Sequence, residues 1–297
     1  MKLLLLGADG QVGQALRPLL AGLGSLRACG RAEADLEEPA AIAALIAREA
    51  PDVIVNAAAY TAVDAAEDDR DRAYRVNAEA VGAIGEAARK RGALSVHYST
   101  DFVFDGAGHG AYAETDTARP LGVYGASKLA GDEALAASGA DHLILRVSWN
   151  YSAVGRNFPL TILRLAATRD GIDVVADEYG AATAASLIAE ATCTALRQTL
   201  ADRGKTGLYH LSAAGSASRH ELARFIVAEA AAQGAVLALK PENIRPVRAA
   251  AYGLKARRPS NSRLDTGKFS RAFGVELPPW QAGVRQLITT LIGEGRL

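Results

Sequence analysis

Apolar residues along the chain fall into two alternating rhythms. Residues 2–6 form a short apolar run that stops at glycine, and beyond it Val12, Leu16, Leu19, Leu20 and Leu23 recur at the spacing of one helical face. This predicts a buried strand, a tight turn and a helix over residues 11–23. A second cycle follows, with a strand over residues 26–29 and a helix over residues 39–50, where Pro39 suits the first turn and Ile42, Leu45 and Ile46 share a face. Further strands are predicted at residues 53–55, 93–98 and 142–147, separated by helices at about residues 67–91 and 123–137. Strands and helices in alternation, each strand an unbroken apolar run, predict an α/β protein with a doubly wound parallel sheet and helices on both faces.

Beyond Trp149 the rhythm loosens. Strands are predicted at residues 173–176, 207–211 and 236–239, helices at about 183–200, 219–232 and 279–292, and a proline-rich, basic stretch runs from 241 to 259. The expected organisation is a sheet domain over residues 1–150 and a smaller mixed α/β domain over residues 151–297, with some later segments returning to the sheet.

Composition removes several classes of function. The 33 Lys and Arg balance 33 Asp and Glu in 297 residues, so no net field draws nucleic acid or an anionic membrane. With 49% hydrophobic and 22% charged residues, the chain is neither disordered nor fibrous and can bury a sizeable core. The leucines after Lys2 are too few for a signal peptide or a membrane span, and a cytoplasmic protein is expected. Cys29 and Cys193 cannot form a disulfide framework or a thiolate zinc site and are expected as small buried apolar residues. The five histidines, His97, His109, His142, His210 and His220, lack metal-ligand spacing, and no metal site is expected.

The first chemical signal is Gly7-Ala8-Asp9-Gly10-Gln11-Val12-Gly13, which follows the first predicted strand and opens the first predicted helix. Glycines there permit a tight turn and close backbone approach, and the helix amino terminus offers N–H groups to a dinucleotide pyrophosphate. The sheet domain is thus expected to be of the Rossmann type. At the end of the second strand an NAD site usually carries a carboxylate for the ribose 2′-hydroxyl, but here the sequence reads Cys29-Gly30-Arg31. Glycine would leave room and Arg31 offers a guanidinium fork to a 2′-phosphate, which favours NADPH with NADH as the alternative. A solvated surface cation is the plainer reading of Arg31. Asp35 and Leu36 are candidates to meet the adenine.

The second signal is Tyr124 and Lys128, four residues apart and so on one helical face. An ammonium near a phenol lowers its pKa, and such a tyrosine can protonate a carbonyl oxygen as hydride reaches its carbon. Ser99-Thr100-Asp101 and Asn56-Ala57-Ala58-Ala59 end predicted strands at the carboxyl edge of the sheet, where open α/β folds bind ligands. Thr100 is placed to donate a hydrogen bond to the same carbonyl oxygen.

With these motifs the chain resembles the extended short-chain dehydrogenase/reductases, and within them the dTDP-4-dehydrorhamnose reductase family. The resemblance rests on residues 7–13 (GADGQVG), 53–64 (VIVNAAAYTAVD), 97–106 (HYSTDFVFDG), 123–131 (VYGASKLAG), 146–151 (RVSWNY) and 257–264 (RRPSNSRL). It implies reduction of the C4 ketone of a dTDP-4-keto-6-deoxysugar, dTDP-4-dehydro-L-rhamnose, with NADPH or NADH. It also implies Tyr124 as proton donor, Lys128 as its activator and nicotinamide-ribose ligand, and Thr100 in the superfamily's serine or threonine position. Gly10, Gln11 and Val12 would meet the pyrophosphate, Asp35 and Leu36 the adenine, and Ala59, Tyr60 and Thr61 the nicotinamide half, with Tyr98 as a further cofactor contact. Thr100, Asp101 and Trp149 would meet the sugar, and Asn77 would hold the cofactor strands. Arg257, Arg258 and Arg263 are candidates for the diphosphate, Arg258 first.

Departures from the family pattern are Gly30, Asn150 and Ala182, the last where proline is usual. Some members join through Mg²⁺ held by acidic residues, but the matching positions are Ala15 and Thr290, which argues against that metal here; a monomer or a homodimer is expected. Two other functions fit the superfamily: a nucleotide-sugar epimerase or dehydratase, and a non-catalytic regulatory subunit of the methionine adenosyltransferase β type. Phe102 after Thr100-Asp101 leaves out the second carboxylate a dehydratase needs, and the presence of Thr100, Tyr124 and Lys128 together argues against a non-catalytic subunit.

Overall fold

The computed structural model describes residues 1–297. Six parallel strands form one sheet in the order Gly207–Leu211, β5 (His142–Val147), β4 (Leu94–Thr100), β3 (Val53–Asn56), β1 (Lys2–Leu6), β2 (Ser25–Cys29). Winding reverses between β1 and β3, and the register sets Leu6 beside both Cys29 and Asn56. The carboxyl ends of these strands therefore frame a crevice at the switch point, where such sheets bind ligands.

The four leucines of β1 show why the strand is central. Leu3 and Leu5 enter the core beneath the helix α1 (Gln11–Ala21), while Leu4 and Leu6 enter the opposite core beneath α2 (Pro39–Glu49). All are at most 1% exposed, and burying each side chain is worth roughly 1.5–3 kcal/mol. Later segments join the first of these cores: the helix Ala185–Ala201 contributes Ile188 and Leu196, and the helix Gly267–Phe273 contributes Phe269 and Phe273. A separate core, with Ile162, Ile226, Trp280 and Ile288, holds the helices Phe158–Thr168, Arg219–Ala232 and Trp280–Gly293 together. Cys29 and Cys193 are both free and buried. No helix is long and apolar enough to cross a membrane.

Two predicted elements differ. Residues 236–239 are not a strand: the Ala238 and Leu239 N–H groups both donate to the Ala166 carbonyl at a helix end, and Val236 is exposed. The strand lies instead at Ile244–Val247, paired with Ile172–Val175, where Pro246 is tolerated because it sits in a two-stranded edge. The helix predicted over residues 67–91 is interrupted. It runs as Arg70–Tyr74, a π-helical turn Arg75–Glu79, then Ala80–Arg91. Asn77 lies in the π turn, and its side chain accepts from the Tyr60 N–H (2.9 Å) while donating to the Tyr60 carbonyl (3.0 Å) and Ser127 Oγ (3.0 Å). Such turns recur at functional sites, and this one fixes the loop leaving β3.

Candidate active site

At the end of β1 the backbone of Gly7 has φ of 76° and lies against Ala57 and Ala58 as they leave β3. Any side chain there would strike that backbone, so glycine is what lets α1 begin at the switch point. Gly13 packs equally closely on the Gly7 carbonyl, beneath the loop. Gly10 caps α1 and no side chain caps it, leaving first-turn N–H groups for an anion. A groove of about 860 Å³ opens here. Gly7, Gly10, Gln11 and Val12 line it from the loop, and Arg31, Asp35 and Leu36 from the segment after β2. Ala59, Tyr60 and Thr61 line it from the segment after β3, and Tyr124 from the helix Val123–Ala137. Gln11 Oε1 accepts from Ser152 Oγ (3.1 Å) and Asn157 Nδ2 (2.8 Å), tying this loop to the smaller core's segment. An uncapped helix terminus, a glycine cradle and an elongated groove fit a nicotinamide dinucleotide.

Three residues expected at that groove are placed differently by the structure. The space expected to be open beside Gly30 is filled: a Cβ on Gly30 would collide with the Asp9 carboxylate. Arg31 is not an unengaged cation either, since it pairs with Glu37 (2.5 Å) and Asp35 (3.5 Å). Tyr98 does not reach the groove. Its side chain alternates away from His97 and Ser99 along β4, and its hydroxyl donates to Thr192 Oγ1 (2.8 Å) in the core.

Tyr124 stands above a buried polar cluster. Burial pushes its phenol up to about 12, a hydrogen bond with the Thr100 hydroxyl pulls the other way, and the charges of Asp101 and Asp132 add to the rise. This is opposite to the expected lowering by Lys128. Lys128 is 1% exposed and turns into the sheet, donating to the Tyr98 carbonyl oxygen at 2.6 Å, with His97 Nε2 at 3.2 Å. Burial lowers its ammonium to about 8, against the pull of Asp132. Burial also takes His97 well below its ordinary value, and Lys128 reinforces this. Thr100 Oγ1 donates to Asp101 Oδ1 (3.0 Å), and Ser148 Oγ donates to Asp101 Oδ2 (2.8 Å). Burial still raises the Asp101 carboxyl to about 6, because those hydrogen bonds only partly offset lost hydration.

A second cleft of about 680 Å³ adjoins the first, and Asn150 and Arg156 line both. Trp149, Ala182 and Arg258 line it as well. Trp149 adopts φ of 41°, unusual for a bulky residue, and its ring is covered by the Arg219 guanidinium at 3.6 Å from the centroid. Arg219 is a functional candidate that sequence reasoning missed. It opens its helix beside a capping box of Ser218 and Glu221, a legible signal that fixes its position but not its target. Burial lowers its guanidinium to about 10 while Glu178 and Asp101 oppose the change. Arg258 reaches the cleft paired with Asp64 (2.6 Å). Arg257 lines only a small recess beside Tyr124. Arg263 is directed elsewhere: it bonds Asn261 Oδ1 (2.8 Å) and the His109 carbonyl (2.7 Å), while Asn261 donates to the Gly108 and Gly110 carbonyls (2.7 Å each). Those bonds strap two loops together. No group of three or more His, Cys, Asp or Glu side chains is arranged to hold a metal ion.

A dinucleotide groove at the switch point of a Rossmann-type sheet, lined by Tyr124 and adjoined by a second cleft, defines an NAD(P)H-dependent oxidoreductase of the extended short-chain dehydrogenase/reductase type. The family model described as the RmlD substrate binding domain matches residues 1–292. The dTDP-4-dehydrorhamnose reductase of Burkholderia thailandensis is 45% identical over 298 residues, covering 99% of this chain and 100% of that protein. The solved dTDP-4-dehydrorhamnose reductase of Bacillus anthracis in complex with NADP superposes with a TM-score of 0.86 at 30% identity, covering 97% of this chain and 99% of that one. That of Clostridium acetobutylicum gives 0.90 at 28% identity, covering 98% and 100%. This chain belongs to the dTDP-4-dehydrorhamnose reductase family.

Proposed function

We propose that the chain reduces the C4 ketone of dTDP-4-dehydro-L-rhamnose to dTDP-L-rhamnose, with NAD(P)H as hydride source and Tyr124 as proton donor. The observation that carries this reading is the junction of the two clefts, with Tyr124 on the cofactor groove and Trp149 on its neighbour. The 45% identity to a reductase of that name supports the choice of sugar nucleotide.

Each side chain then has a physical task. First-turn N–H groups of α1 bind the pyrophosphate, and Asn77 holds the loop of Ala59, Tyr60 and Thr61 against the nicotinamide half. When bound, the reduced nicotinamide supplies hydride. Tyr124 keeps its phenolic proton throughout the neutral range and gives it to the carbonyl oxygen as charge develops there. Thr100 donates to the same oxygen once its single hydroxyl proton turns from Asp101, where it rests in this structure, to the bound substrate. Until substrate binds, Asp101 accepts that proton and so holds the Thr100 side chain in position. Lys128, titrating near 8, would return a proton to the phenolate and reach the nicotinamide ribose on turning from the Tyr98 carbonyl that it bonds here. Trp149 offers a flat apolar surface to the deoxysugar, and Arg219 and Arg258 oppose the diphosphate. We assign the reaction to the cytoplasm, where the thiols of Cys29 and Cys193 stay reduced.

The test is turnover of enzymatically generated dTDP-4-dehydrorhamnose. Equimolar loss of reduced nicotinamide and NMR detection of dTDP-L-rhamnose are expected. Absence of nicotinamide oxidation, or a product of opposite C4 configuration, would reject the assignment.

A further inference from the structure

We propose that Asp9 sets the cofactor preference of this chain, selecting NADH over NADPH by accepting hydrogen bonds from the hydroxyls of the adenosine ribose. The inference rests on the reading that the groove holds a nicotinamide dinucleotide, and deepens it.

In a dinucleotide site of this type the ribose carboxylate ends the second strand, about twenty residues beyond the glycine loop. Gly30 holds that place. The volume that a side chain there would fill belongs to the Asp9 carboxylate, which is delivered from the glycine loop instead. The loop is pinned against β2, since the Ala8 N–H donates to the Cys29 carbonyl at 3.0 Å, so Asp9 and Gly30 are held in fixed relation. Glycine at 30 and aspartate at 9 are therefore one arrangement: the carboxylate is kept, and its origin has moved.

The state of the surrounding charges favours a neutral hydroxyl. Asp9 is exposed and lines the groove beside Arg31, Asp35 and Leu36. Its carboxylate has no ion pair and no hydrogen bond; only its backbone carbonyl is engaged, by Gln14 Nε2 at 2.7 Å. It is free to accept. The cations able to bind a 2′-phosphate are engaged: Arg31 and Arg72 converge on Glu37 Oε1 at 2.5 and 2.6 Å, and Arg31 also meets Asp35. Three carboxylates thus face two guanidinium groups at this corner. A 2′-phosphate would have to displace Glu37 and sit against Asp9 as a like charge, whereas a 2′-hydroxyl donates to Asp9 at no such cost.

The experiment is direct titration of NADH and NADPH by nicotinamide fluorescence into the wild-type chain, Asp9→Ala, and Asp9→Ala with Gly30→Asp. Wild type is expected to bind NADH about tenfold or more tighter than NADPH, the order of one hydrogen bond to a charged group. Asp9→Ala should shift that ratio about tenfold towards NADPH. Adding Gly30→Asp should restore the preference for NADH, because the backbone of Gly30 lies outside the left-handed region and the space Asp9 leaves accepts the new carboxylate. Matching unfolding midpoints will show that the variants fold. Wild type binding NADPH as tightly as NADH, or an unchanged ratio in Asp9→Ala, overturns the role of Asp9. Wild type binding neither nucleotide overturns the dinucleotide reading itself, and the proposal with it.

Discussion

The Lys128 amino group sits 3.2 Å from Nε2 of His97 and makes no hydrogen bond to Tyr124, the residue one helical turn before it. A chain of bonds runs behind this contact. The Ala58 N–H donates to Asn56 Oδ1, so the Asn56 amide nitrogen faces His97 Nδ1 at 3.2 Å and donates to it. That leaves the His97 proton on Nε2, facing Lys128, an orientation that suits an amine better than an ammonium. Burial and this orientation act in the same direction.

Lys128→Met tests the cost of that burial. The folded pKa of about 8 lies below the ordinary 10.5, so the native state holds this proton less well than the unfolded chain. The penalty is full below about pH 8 and is relieved as pH rises towards 10.5. The variant should lose turnover yet be more stable than wild type near pH 7, since Asp132 keeps its pairing with Arg146 at 3.2 Å. Denaturant unfolding at the two ends of this range should show the advantage shrinking as pH rises; a less stable variant at neutral pH would contradict it.

Asp101→Asn should remove an acid limb from the pH profile of kcat. In wild type the carboxyl titrates near 6, above the ordinary 3.8, so turnover should rise through that region as ionised Asp101 orients Thr100. The Asn variant should show a flat profile there. Its stability should exceed that of wild type above about pH 6, with the difference vanishing near pH 4, because only the ionised carboxylate carries the burial penalty.

Arg219→Met separates the two clefts. The guanidinium covers Trp149 in the second cleft and does not line the dinucleotide groove. The KM for the sugar nucleotide should rise about tenfold, consistent with loss of a charge-assisted contact to phosphate, while nicotinamide affinity stays unchanged. A parallel loss of cofactor binding in calorimetric titrations would show that Arg219 acts on the whole fold.

What was legible in the sequence was local. The run of leucines before Gly7, the glycine spacing and the amphipathic face of α1 report neighbours within one strand–turn–helix unit, and the structure keeps them together. The alternation of β4 was equally available and places Tyr98 on the face opposite His97, so its withdrawal from the groove was readable in principle. The pairing of Asp9 with Gly30 was not, because it arises only when β1 and β2 lie side by side. Arg219 on Trp149 joins residues seventy positions apart through the smaller core, and the π turn at Asn77 is imposed by its bonds to Tyr60 and Ser127. Tertiary contacts decided these features.

In this mechanism the proton comes from Tyr124. Phe102 packs edge-on against its ring at 5.6 Å, so Tyr124→Phe keeps the aromatic contact and removes only the hydroxyl. Single-turnover reduction of dTDP-4-dehydrorhamnose by this variant, preloaded with reduced nicotinamide, is the most direct measurement. A loss of rate of about a hundredfold or more is expected, with cofactor affinity retained; a rate close to wild type would rule out Tyr124 as the donor.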